Sequence, residues 1–299
     1  MTTYATNDHW IAVDWGTTNL RMWLMTGETI LAKRSSADGM GTIAQGGFRA
    51  CFDNLAADWT ELTDTAVACG MVGSRQGWIE APYTQVPSAP LNNGFAVADG
   101  AVSVHVIGGL CQRDPDDVMR GEETQIAGFV MDNADWTGTI CLPGTHTKWA
   151  DIENGRVVSF RTCMSGDLFS ALTTATVLKH SATGKEWDAP AFDRGFDAGY
   201  TKPDQTLAHL FAVRARGLLS GDTAAQSRSY LSGLLIGNEV ANMRSMITDR
   251  DIAIIGCGTL ADLYKQALTP IGKSVTCADN DTCTLRGLTA AYHAIRTDK

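Results

Sequence analysis

Residues 14–21 combine an acid with a turn whose composition suits phosphate chemistry. They read Asp-Trp-Gly-Thr-Thr-Asn-Leu-Arg and follow a short apolar run, so the acid stands at the end of a predicted strand. The turn offers backbone N–H groups and hydroxyls to phosphate oxygens, and a carboxylate can hold Mg²⁺ beside phosphate groups. Asp14 is therefore a candidate Mg²⁺ ligand, and Gly16, Thr17 and Thr18 are candidate phosphate contacts. A plain hairpin turn would have the same composition.

Residues 142–149 repeat this arrangement in the second half of the chain. They read Leu-Pro-Gly-Thr-His-Thr-Lys-Trp, with a Gly-Thr turn between a predicted strand and a predicted hairpin. Two such loops would hold a polyphosphate from both sides, which makes Gly144 and Thr145 candidate phosphate contacts. His146 either contacts the ligand or orders the loop, and Lys148 either meets a phosphate or lies on a solvated edge.

Residues 254–260 lead from an apolar strand through Gly-Cys-Gly into a predicted helix. A helix N-terminus binds anions, and glycine lets a nucleotide lie close to the backbone. Gly256, Gly258 and Thr259 are therefore candidate nucleotide contacts. The segment is not a dinucleotide-binding fingerprint, because residue 261 is alanine and the strand does not open a domain. The chain also lacks G-x-x-x-x-G-K-[ST], which excludes P-loop chemistry.

Residues 119–125, Met-Arg-Gly-Glu-Glu-Thr-Gln, place two adjacent acids at the start of a predicted helix. Acids in a first turn complement the helix dipole, which is a purely structural explanation. The functional explanation is that one carboxylate acts as a general base on a substrate hydroxyl. The sequence leaves both explanations open for Glu122 and Glu123.

Strands and helices alternate around these segments in both halves of the chain. Asn154-Gly155 is a strong hairpin signal, whereas residues 82–95 contain three prolines and are predicted to be a loop. The predicted strands are 10–14, 20–25, 29–33, 65–70, 102–107, 138–142, 148–152, 156–160, 251–255 and 275–278. The predicted helices are 47–59, 122–131, 165–180, 205–218, 223–247, 258–268 and 284–295.

The length of 299 residues favours about two domains. Each half opens with a strand, a Gly/Thr turn and a hairpin, and residues 132–135 form a polar break between the halves. We therefore predict an N-terminal domain of residues 1–135, with the first phosphate loop and the substrate site, and a C-terminal domain of residues 136–299. The final helix is expected to pack back on the first domain.

Composition narrows the class of protein. The net charge of −9 leaves no basic surplus for nucleic acid, and no apolar stretch is long enough for a membrane span. Eight scattered cysteines without C-x-x-C spacing and the lack of a basic, apolar leader favour the reducing cytoplasm. The 30 glycines exceed the average share, which predicts many tight turns or backbone close to ligands.

Taken in order, the four segments resemble the sugar kinase/actin/heat-shock ATPase superfamily. That superfamily has two phosphate loops, a connecting helix with a catalytic acid, and an adenosine loop. The resemblance implies an α/β fold with two related ribonuclease H-like domains around an interdomain nucleotide cleft, and it implies ATP and Mg²⁺ as cofactors.

Further segments resemble the 2-dehydro-3-deoxygalactonokinase family. That resemblance implies ATP-dependent phosphorylation of 2-dehydro-3-deoxy-D-galactonate on its 6-hydroxyl in galactonate breakdown. Where the family usually has Met-Thr-Gly-Glu, this chain has Met-Ser-Gly-Asp at 164–167. The segments that carry the resemblance are 14–21, 70–74, 77–78, 81–83, 119–125, 143–149, 160–166 and 231–237.

The resemblance also implies roles for individual residues. The hexokinase connecting helix favours Glu123 as the base and exopolyphosphatases favour Glu122, while Asp167 is a third candidate. A basic group should meet the substrate carboxylate, because arginine binds carboxylates with two parallel hydrogen bonds. The candidates for that contact are Arg75, Arg120 and Arg161. The other candidate substrate contacts are Asn19, Arg21, Gly73, Ser74 and Tyr83.

Three alternatives share the phosphate segments. The chain could be a kinase for another sugar acid, or for an amino or anhydro sugar. It could be a nucleotide-switched ATPase that is independent of sugars, or a phosphohydrolase of the exopolyphosphatase type. A homodimer is also left open.

Overall fold

The computed structural model describes residues 8–44, 46–91 and 94–297. The strands are β1 (His9–Trp15), β2 (Leu20–Thr26), β3 (Thr29–Ser36), β4 (Thr65–Gly70), β5 (Tyr83–Gln85), β6 (Phe95–Asp99), β7 (Ser103–Ile107), β8 (Gly109–Arg113), β9 (Asp116–Met119), β10 (Gly138–Leu142), β11 (Thr147–Glu153), β12 (Arg156–Cys163), β13 (Ile252–Ile255) and β14 (Val275–Ala278). The α-helices are α1 (Phe48–Ala56), α2 (Glu122–Asp132), α3 (Ser165–Ala175), α4 (Ala189–Thr201), α5 (Thr206–Leu219), α6 (Ala224–Asn242), α7 (Arg244–Ile247), α8 (Gly258–Leu268) and α9 (Asn280–Thr297). Within these described ranges, no helix has the length and apolar character that a bilayer span needs.

The chain divides into two compact units. The first contains the described residues up to Trp136, together with Ile152–Ser159 and the chain from Ala278 onward. The second contains Thr137–Asp151 and Phe160–Cys277. The last helix groups with the first unit, where the sequence predicts that it packs. The difference from the predicted stretch 136–299 is the hairpin tip Ile152–Ser159, which also groups with the first unit.

A mixed six-stranded sheet forms the centre of the first unit, in the order β3-β2-β1-β4-β7-β6. β1 pairs antiparallel with β2 and parallel with β4, so that Asp14 lies opposite Cys69 and Trp15 opposite Gly70. Since parallel strands end at the same edge, the loops after β1 and β4 leave the sheet side by side. The register therefore places the starts of the two loops, after Trp15 and after Gly70, at the same edge of the sheet.

Alternating side chains of β1 build two cores, as expected for a strand that is covered on both faces. Ile11 and Val13 pack in the core that includes α1. Trp10 and Ala12 pack on the other face, against α9. The Trp10 ring stacks on Tyr292 of α9 with ring centroids 4.5 Å apart, which anchors the last helix to the first strand.

A small sheet, β5-β8-β9, was not predicted from the sequence. β5 has only three residues and pairs parallel with β8, which pairs antiparallel with β9. Such short strands are too brief to show an alternating pattern, so residues 82–95 read as a loop. The sheet matters because β9 ends at Met119, the first residue of the predicted segment 119–125 that contains the two acids.

The second unit contains the five-stranded sheet β12-β11-β10-β13-β14. β10 pairs parallel with β13, with Cys141 opposite Ile254. The loops after these two strands therefore leave the same edge. The predicted hairpin between β11 and β12 is confirmed, since Asn154 and Gly155 both have positive φ, as a two-residue I′ turn requires.

Six glycines lie where helices touch through their backbones. On α4 and α6, a Cβ at Gly195, Gly199, Gly233 or Gly237 would overlap a backbone oxygen of the opposite helix. In the first unit, a Cβ on Gly128 of α2 would overlap the Cys283 carbonyl of α9, and one on Gly287 of α9 would overlap the Thr124 carbonyl. The glycine excess thus has a cause beyond the predicted turns and ligand contacts. The sequence of α4 contains a proline and two of these glycines, which explains why it was not predicted as a helix.

We expect Gly233→Ala to destabilise the protein by about 1–3 kcal/mol or more, because the new methyl group has no room beside the Phe192 carbonyl. The matched control is Gly217→Ala on α5, where the nearest atom to a new Cβ is 3.7 Å away. Alanine favours a helix over glycine, so this control should raise stability by up to about 1 kcal/mol. Urea unfolding measures both variants, and equal shifts would contradict the packing argument.

Candidate functional site

The first candidate phosphate loop, residues 16–19, is an exposed turn. Residues 39–41 support its backbone from the protein side. Thr17, Thr18 and Asn19 are exposed, and the Gly16 N–H donates to the Asn19 carbonyl at 3.0 Å. Backbone N–H groups of residues 39–41 donate to the carbonyls of residues 16–18 at 2.9–3.2 Å. Gly39 is required there because a Cβ would overlap the Thr18 carbonyl. The backbone of the turn is therefore fixed, while its outer face is open.

Asp14 stands beside this loop and pairs with Arg21. Asp14 Oδ2 accepts hydrogen bonds from the Nε of Arg21 at 3.1 Å and from its Nη2, and Arg21 Nη1 donates to Asp281 of α9. Burial works to lower the pKa of Arg21, but the two carboxylates outweigh it and raise that pKa above its usual value. The structure thus engages Arg21, a predicted substrate contact, with two protein carboxylates.

The donor set around Asp14 fits a nucleotide-bound Mg²⁺. Within the described ranges, no group of three or more His, Cys, Asp or Glu side chains could hold a metal ion. Mg²⁺ typically takes one or two carboxylates and completes its shell with substrate phosphates and water. Asp14, partly exposed beside an open Gly-Thr turn, matches that pattern.

Two glycines with positive φ bring the start of α2 against the ends of β1 and β4. Gly70 has φ +89°, and a Cβ there would lie 2.6 Å from the Trp15 carbonyl oxygen. Gly121 has φ +107°, and a Cβ there would lie 3.3 Å from the Cα of Gly70. Both positions favour glycine on conformational grounds. In the sequence, Gly121 directly precedes the candidate acids and Gly70 ends the predicted strand 65–70, and no local pattern indicates that the two glycines touch.

The two acids at this helix start have different surroundings. Glu123 is completely buried: its Oε2 accepts the Gly121 N–H at 2.7 Å and its Oε1 accepts the Thr124 hydroxyl at 2.9 Å. Burial, and then the charge of Glu122, raise the pKa of Glu123 to about 7. Glu122 is partly exposed, and its Oε2 accepts the Arg120 N–H at 3.1 Å. Of the two carboxylates, only Glu122 is accessible from solvent.

Arg120 ties the loop after β4 to this helix start. Its Nη2 donates to the Ala81 carbonyl at 2.7 Å, and its Nε to the Tyr83 hydroxyl at 3.3 Å. A Cβ on Gly73 would lie 2.8 Å from Arg120 Nη1, and the buried Ser74 places its hydroxyl 3.2 Å from the Met40 sulfur. Arg120, Gly73 and Ser74, which were predicted to contact the substrate, therefore mainly contact other residues of the protein.

In contrast, Arg75 is exposed on the same loop, and the side chain of Tyr83 is partly open to solvent. Arg161, in the second unit, is also partly exposed and donates from Nη1 to the Phe160 carbonyl at 2.9 Å.

The second phosphate loop packs on the start of α3. The Asp167 N–H donates to the Thr145 carbonyl at 2.9 Å, and His146 Nε2 lies 3.6 Å from Asp167 Oδ2. A Cβ on Gly166 would overlap the Gly144 carbonyl oxygen, so this helix start needs glycine. Asp167 is therefore a neighbour of the loop and a partner of His146.

Lys148 does not lie on a solvated edge. It is buried on β11, where its Nζ donates to the Thr162 hydroxyl of β12 at 2.6 Å. This contact links two neighbouring strands of the sheet.

A cavity of about 290 Å³ opens beside this loop, within the second unit. Lys185 and Arg228 contribute positive charge, and the described residues that line it include no carboxylate. Thr259, at the start of α8, also lines the cavity, and a Cβ on Gly258 would meet no atom within 4 Å. Gly256, by contrast, packs near Ala261 and Pro143. The other lining residues are Gly144, Ser165, Gly166, Phe169, Trp187, Ser232, Leu235, Ile236, Leu260, Leu263 and Tyr264.

A model of the 2-keto-3-deoxy-galactonokinase family matches residues 14–291. The chain belongs to this family. The 2-dehydro-3-deoxygalactonokinase of Escherichia coli (strain K12) is 35% identical over 289 residues, which cover 96% of this chain and 98% of that protein. A crystal structure of a candidate 2-dehydro-3-deoxygalactonokinase from Sinorhizobium meliloti is similar with a TM-score of 0.89 and 37% identity, covering 96% of each chain.

A structural similarity at low sequence identity shows the fold class of this chain. The activator of 2-hydroxyisocaproyl-CoA dehydratase from Clostridium difficile matches with a TM-score of 0.55 and 14% identity, over 97% of this chain and 96% of that one. The predicted α/β fold of the actin-like ATPase class is thereby confirmed.

Several residues that shape the candidate site were missed in the sequence. Gly39 and Gly166 support the two phosphate loops, and Trp187 and Arg228 line the cavity. For Gly166, the only signal in the sequence was its place in segment 160–166, which resembles the kinase family. None of the segments that carry this resemblance contains Gly39. Trp187 and Arg228 lie far in sequence from the four segments that resemble the sugar kinase superfamily. The spacing of those segments therefore could not have indicated them.

The buried Glu123 should make stability depend on pH. Its folded pKa, about 7, lies above the ordinary value of 4.5, so its stabilising contribution is complete below pH 4.5 and is lost as the pH rises through 7. Glu123→Gln keeps an oxygen for the Gly121 N–H but cannot ionise. We expect its free energy of unfolding to fall by roughly 3 kcal/mol less than that of the wild type between pH 4.5 and 8. Urea titrations across this range measure the difference, with the exposed Glu80→Gln as control, and a wild-type slope in Glu123→Gln would contradict the assignment.

Proposed function

We propose that this chain transfers the γ-phosphoryl group of ATP to the 6-hydroxyl of 2-dehydro-3-deoxy-D-galactonate. The observation that carries the proposal is the family match over residues 14–291, together with identity to a named 2-dehydro-3-deoxygalactonokinase over nearly the full length of both chains. The hydroxyl oxygen forms the new bond to phosphorus, the bond to the β,γ-bridging oxygen breaks, and ADP leaves. The need for ATP supports a cytoplasmic location.

The cavity of the second unit is the proposed adenosine site. Its two cationic side chains, Lys185 and Arg228, and its lack of lining carboxylates among the described residues suit an anionic nucleotide. Phe169 and Trp187 offer ring surface to a base. Backbone N–H groups at the start of α8 and in the loop at Gly144 and Thr145 are suited to phosphate oxygens.

Asp14 is the proposed Mg²⁺ ligand in the first unit. When bound, Mg²⁺ neutralises charge on the phosphate oxygens during transfer. Arg21 holds the Asp14 carboxylate in place through Oδ2, and Thr17 and Thr18 supply an open Gly-Thr turn beside it. Phosphoryl transfer depends mainly on positioning and charge stabilisation, which is what this fixed turn supplies.

Glu122 is the proposed base that accepts the proton of the 6-hydroxyl. Its partial exposure supports this role, because a general base must reach its substrate. Glu123 is buried, with hydrogen bonds to both carboxylate oxygens, and would position the helix start. Asp167 is less suitable because it pairs with His146. For the substrate carboxylate, Arg75 is the proposed partner, with Asn19, Tyr83 and Arg161 as further contacts.

A coupled ADP-release assay tests the reaction. The acceptors are 2-dehydro-3-deoxygalactonate, its gluconate epimer and no acceptor at all. We expect ADP release to require the galactonate compound, because the family relatives are named for it. Equal release in all three mixtures would overturn the proposed kinase and favour a sugar-independent ATPase or phosphohydrolase.

The two acids can be separated by matched substitutions. We expect Glu122→Gln to reduce kcat about 10²-fold or more, the usual scale of general-base catalysis, with the KM for ATP nearly unchanged. Glu123→Gln should reduce kcat by less than tenfold, because its amide oxygen can accept the Gly121 N–H while its NH₂ donates to the Thr124 hydroxyl oxygen, which keeps the helix start in place. Steady-state kinetics and circular dichroism measure activity and folding, and a larger loss in Glu123→Gln would reverse the assignment.

A further inference from the structure

A buried carboxylate in the second unit connects three helices and a strand. Glu239 of α6 is only 4% exposed. Its Oε1 accepts the indole N–H of Trp149 on β11 at 2.7 Å and the hydroxyl of Tyr264 on α8 at 2.9 Å. Its Oε2 accepts the hydroxyl of Ser165, the first residue of α3. Both carboxylate oxygens are therefore engaged by side chains from other elements.

One route from this carboxylate leads through Tyr264 to the second phosphate loop. The hydroxyl oxygens of Tyr264 and Thr147 are 2.9 Å apart. Since Tyr264 gives its only hydroxyl proton to Glu239, Thr147 donates to Tyr264 and keeps its lone pairs for the Gly144 N–H, 3.4 Å away. When it is ionised, the carboxylate accepts hydrogen bonds only, and it then fixes the direction of each bond in this chain.

A second route leads through Ser165 to the same loop. Ser165 is followed by Gly166, which packs on the Gly144 carbonyl, and by Asp167, whose N–H holds the Thr145 carbonyl at 2.9 Å. Residues 144–145 are therefore held from two sides by elements that converge on Glu239. Glu239 itself does not line the cavity, whereas Gly144, Ser165 and Tyr264 do.

Burying these polar groups costs free energy unless each of them has a hydrogen-bond partner. A buried ionised group loses its hydration, and hydrogen bonds must replace the lost water contacts. A fully satisfied polar network rigidifies its surroundings, whereas one broken bond leaves a buried polar atom unpaired. Burial raises the pKa of Glu239 to about 7, while the hydrogen bonds from Trp149 and Tyr264 act against that rise.

We propose that Glu239 is a positioning residue for ATP, which holds residues 144–147 and the start of α3 in the arrangement that receives the nucleotide phosphates. It acts through Tyr264, Thr147 and Ser165 and does not touch the nucleotide. This inference rests on the proposed function, because it assumes that the cavity and the adjoining loop bind ATP.

Equilibrium binding of a non-hydrolysable ATP analogue, measured by calorimetry on the full chain, tests the proposal. We expect Glu239→Leu to weaken binding about tenfold or more and Tyr264→Phe to weaken it in the same direction. Glu239→Gln should recover much of the affinity, because its amide oxygen can accept from Trp149 and Tyr264 while its NH₂ donates to Ser165. The KM for the sugar acid should stay within about twofold of the wild type, whereas the KM for ATP rises.

The matched control is Tyr230→Phe, which removes another buried hydroxyl from α6. Its partner is His209 at 3.3 Å, and Tyr230 is not among the residues of the cavity or of this network. We expect it to lower the melting temperature without changing the affinity for the ATP analogue. Hydrogen exchange gives a readout without nucleotide: the amides of residues 144–147 and 165–167 should lose protection in Glu239→Leu and Tyr264→Phe, but not in Tyr230→Phe.

The outcomes separate the two levels of the argument. If the wild type binds no ATP analogue, the proposed function fails, and the exchange data alone judge whether Glu239 orders the loop. If the wild type binds and both Tyr264→Phe and Glu239→Gln keep its affinity and its exchange pattern, while stability falls as in Tyr230→Phe, Glu239 is merely structural and the inference is overturned. The two conservative variants keep this test valid even if Glu239→Leu fails to fold.

Discussion

Close backbone contact between helices, which only glycine permits, determines where the key carboxylates lie. In the first unit, Gly287 of α9 packs on the Thr124 carbonyl of α2, and the Thr124 hydroxyl bonds to Glu123. The approach of α9 therefore sets the position of the helix start that carries both candidate acids. In the second unit, Gly237 of α6 packs on the backbone of α4, two residues before Glu239. Larger residues at either crossing would move a helix, and the carboxylate would move with it.

The two units use the same arrangement of strands in different surroundings. In each sheet, the first strand of an antiparallel hairpin has a parallel neighbour on its other side, β1 beside β4 and β10 beside β13. The Gly-Thr loop follows that first strand in both cases. Each unit also buries one glutamate with a pKa raised to about 7 by burial, Glu123 and Glu239. The duplicated pattern of the sequence is thus visible as a duplicated edge of a sheet, with a buried acid nearby.

The sequence predicted the strands and turns that depend on residues close together in the chain. Short apolar runs separated by turn residues indicated β1 to β3, and Asn154-Gly155 indicated the hairpin of β11 and β12, because such signals depend on neighbours in the chain. The pairing of Arg21 with Asp281 joins residues from opposite ends of the chain, so no local pattern could indicate it. The different environments of Glu122 and Glu123 also depend on tertiary packing, since adjacent positions at a helix start look equivalent in sequence. The burial of Lys148 could not be predicted for the same reason, because it depends on the neighbouring strand β12.

An acidic protein can bind an anionic nucleotide if its charges are distributed unevenly. The net charge of −9 describes the whole chain, but the cavity of the second unit is lined by Lys185 and Arg228 and, among described residues, by no carboxylate. In the first unit, Asp14 is already neutralised by Arg21, so its carboxylate repels a phosphate less than a lone acid would. The buried acid of the second unit is screened from the cavity by Tyr264 and Ser165, which take up its oxygens. Local pairing, more than overall charge, therefore decides which surfaces of this chain can receive phosphate.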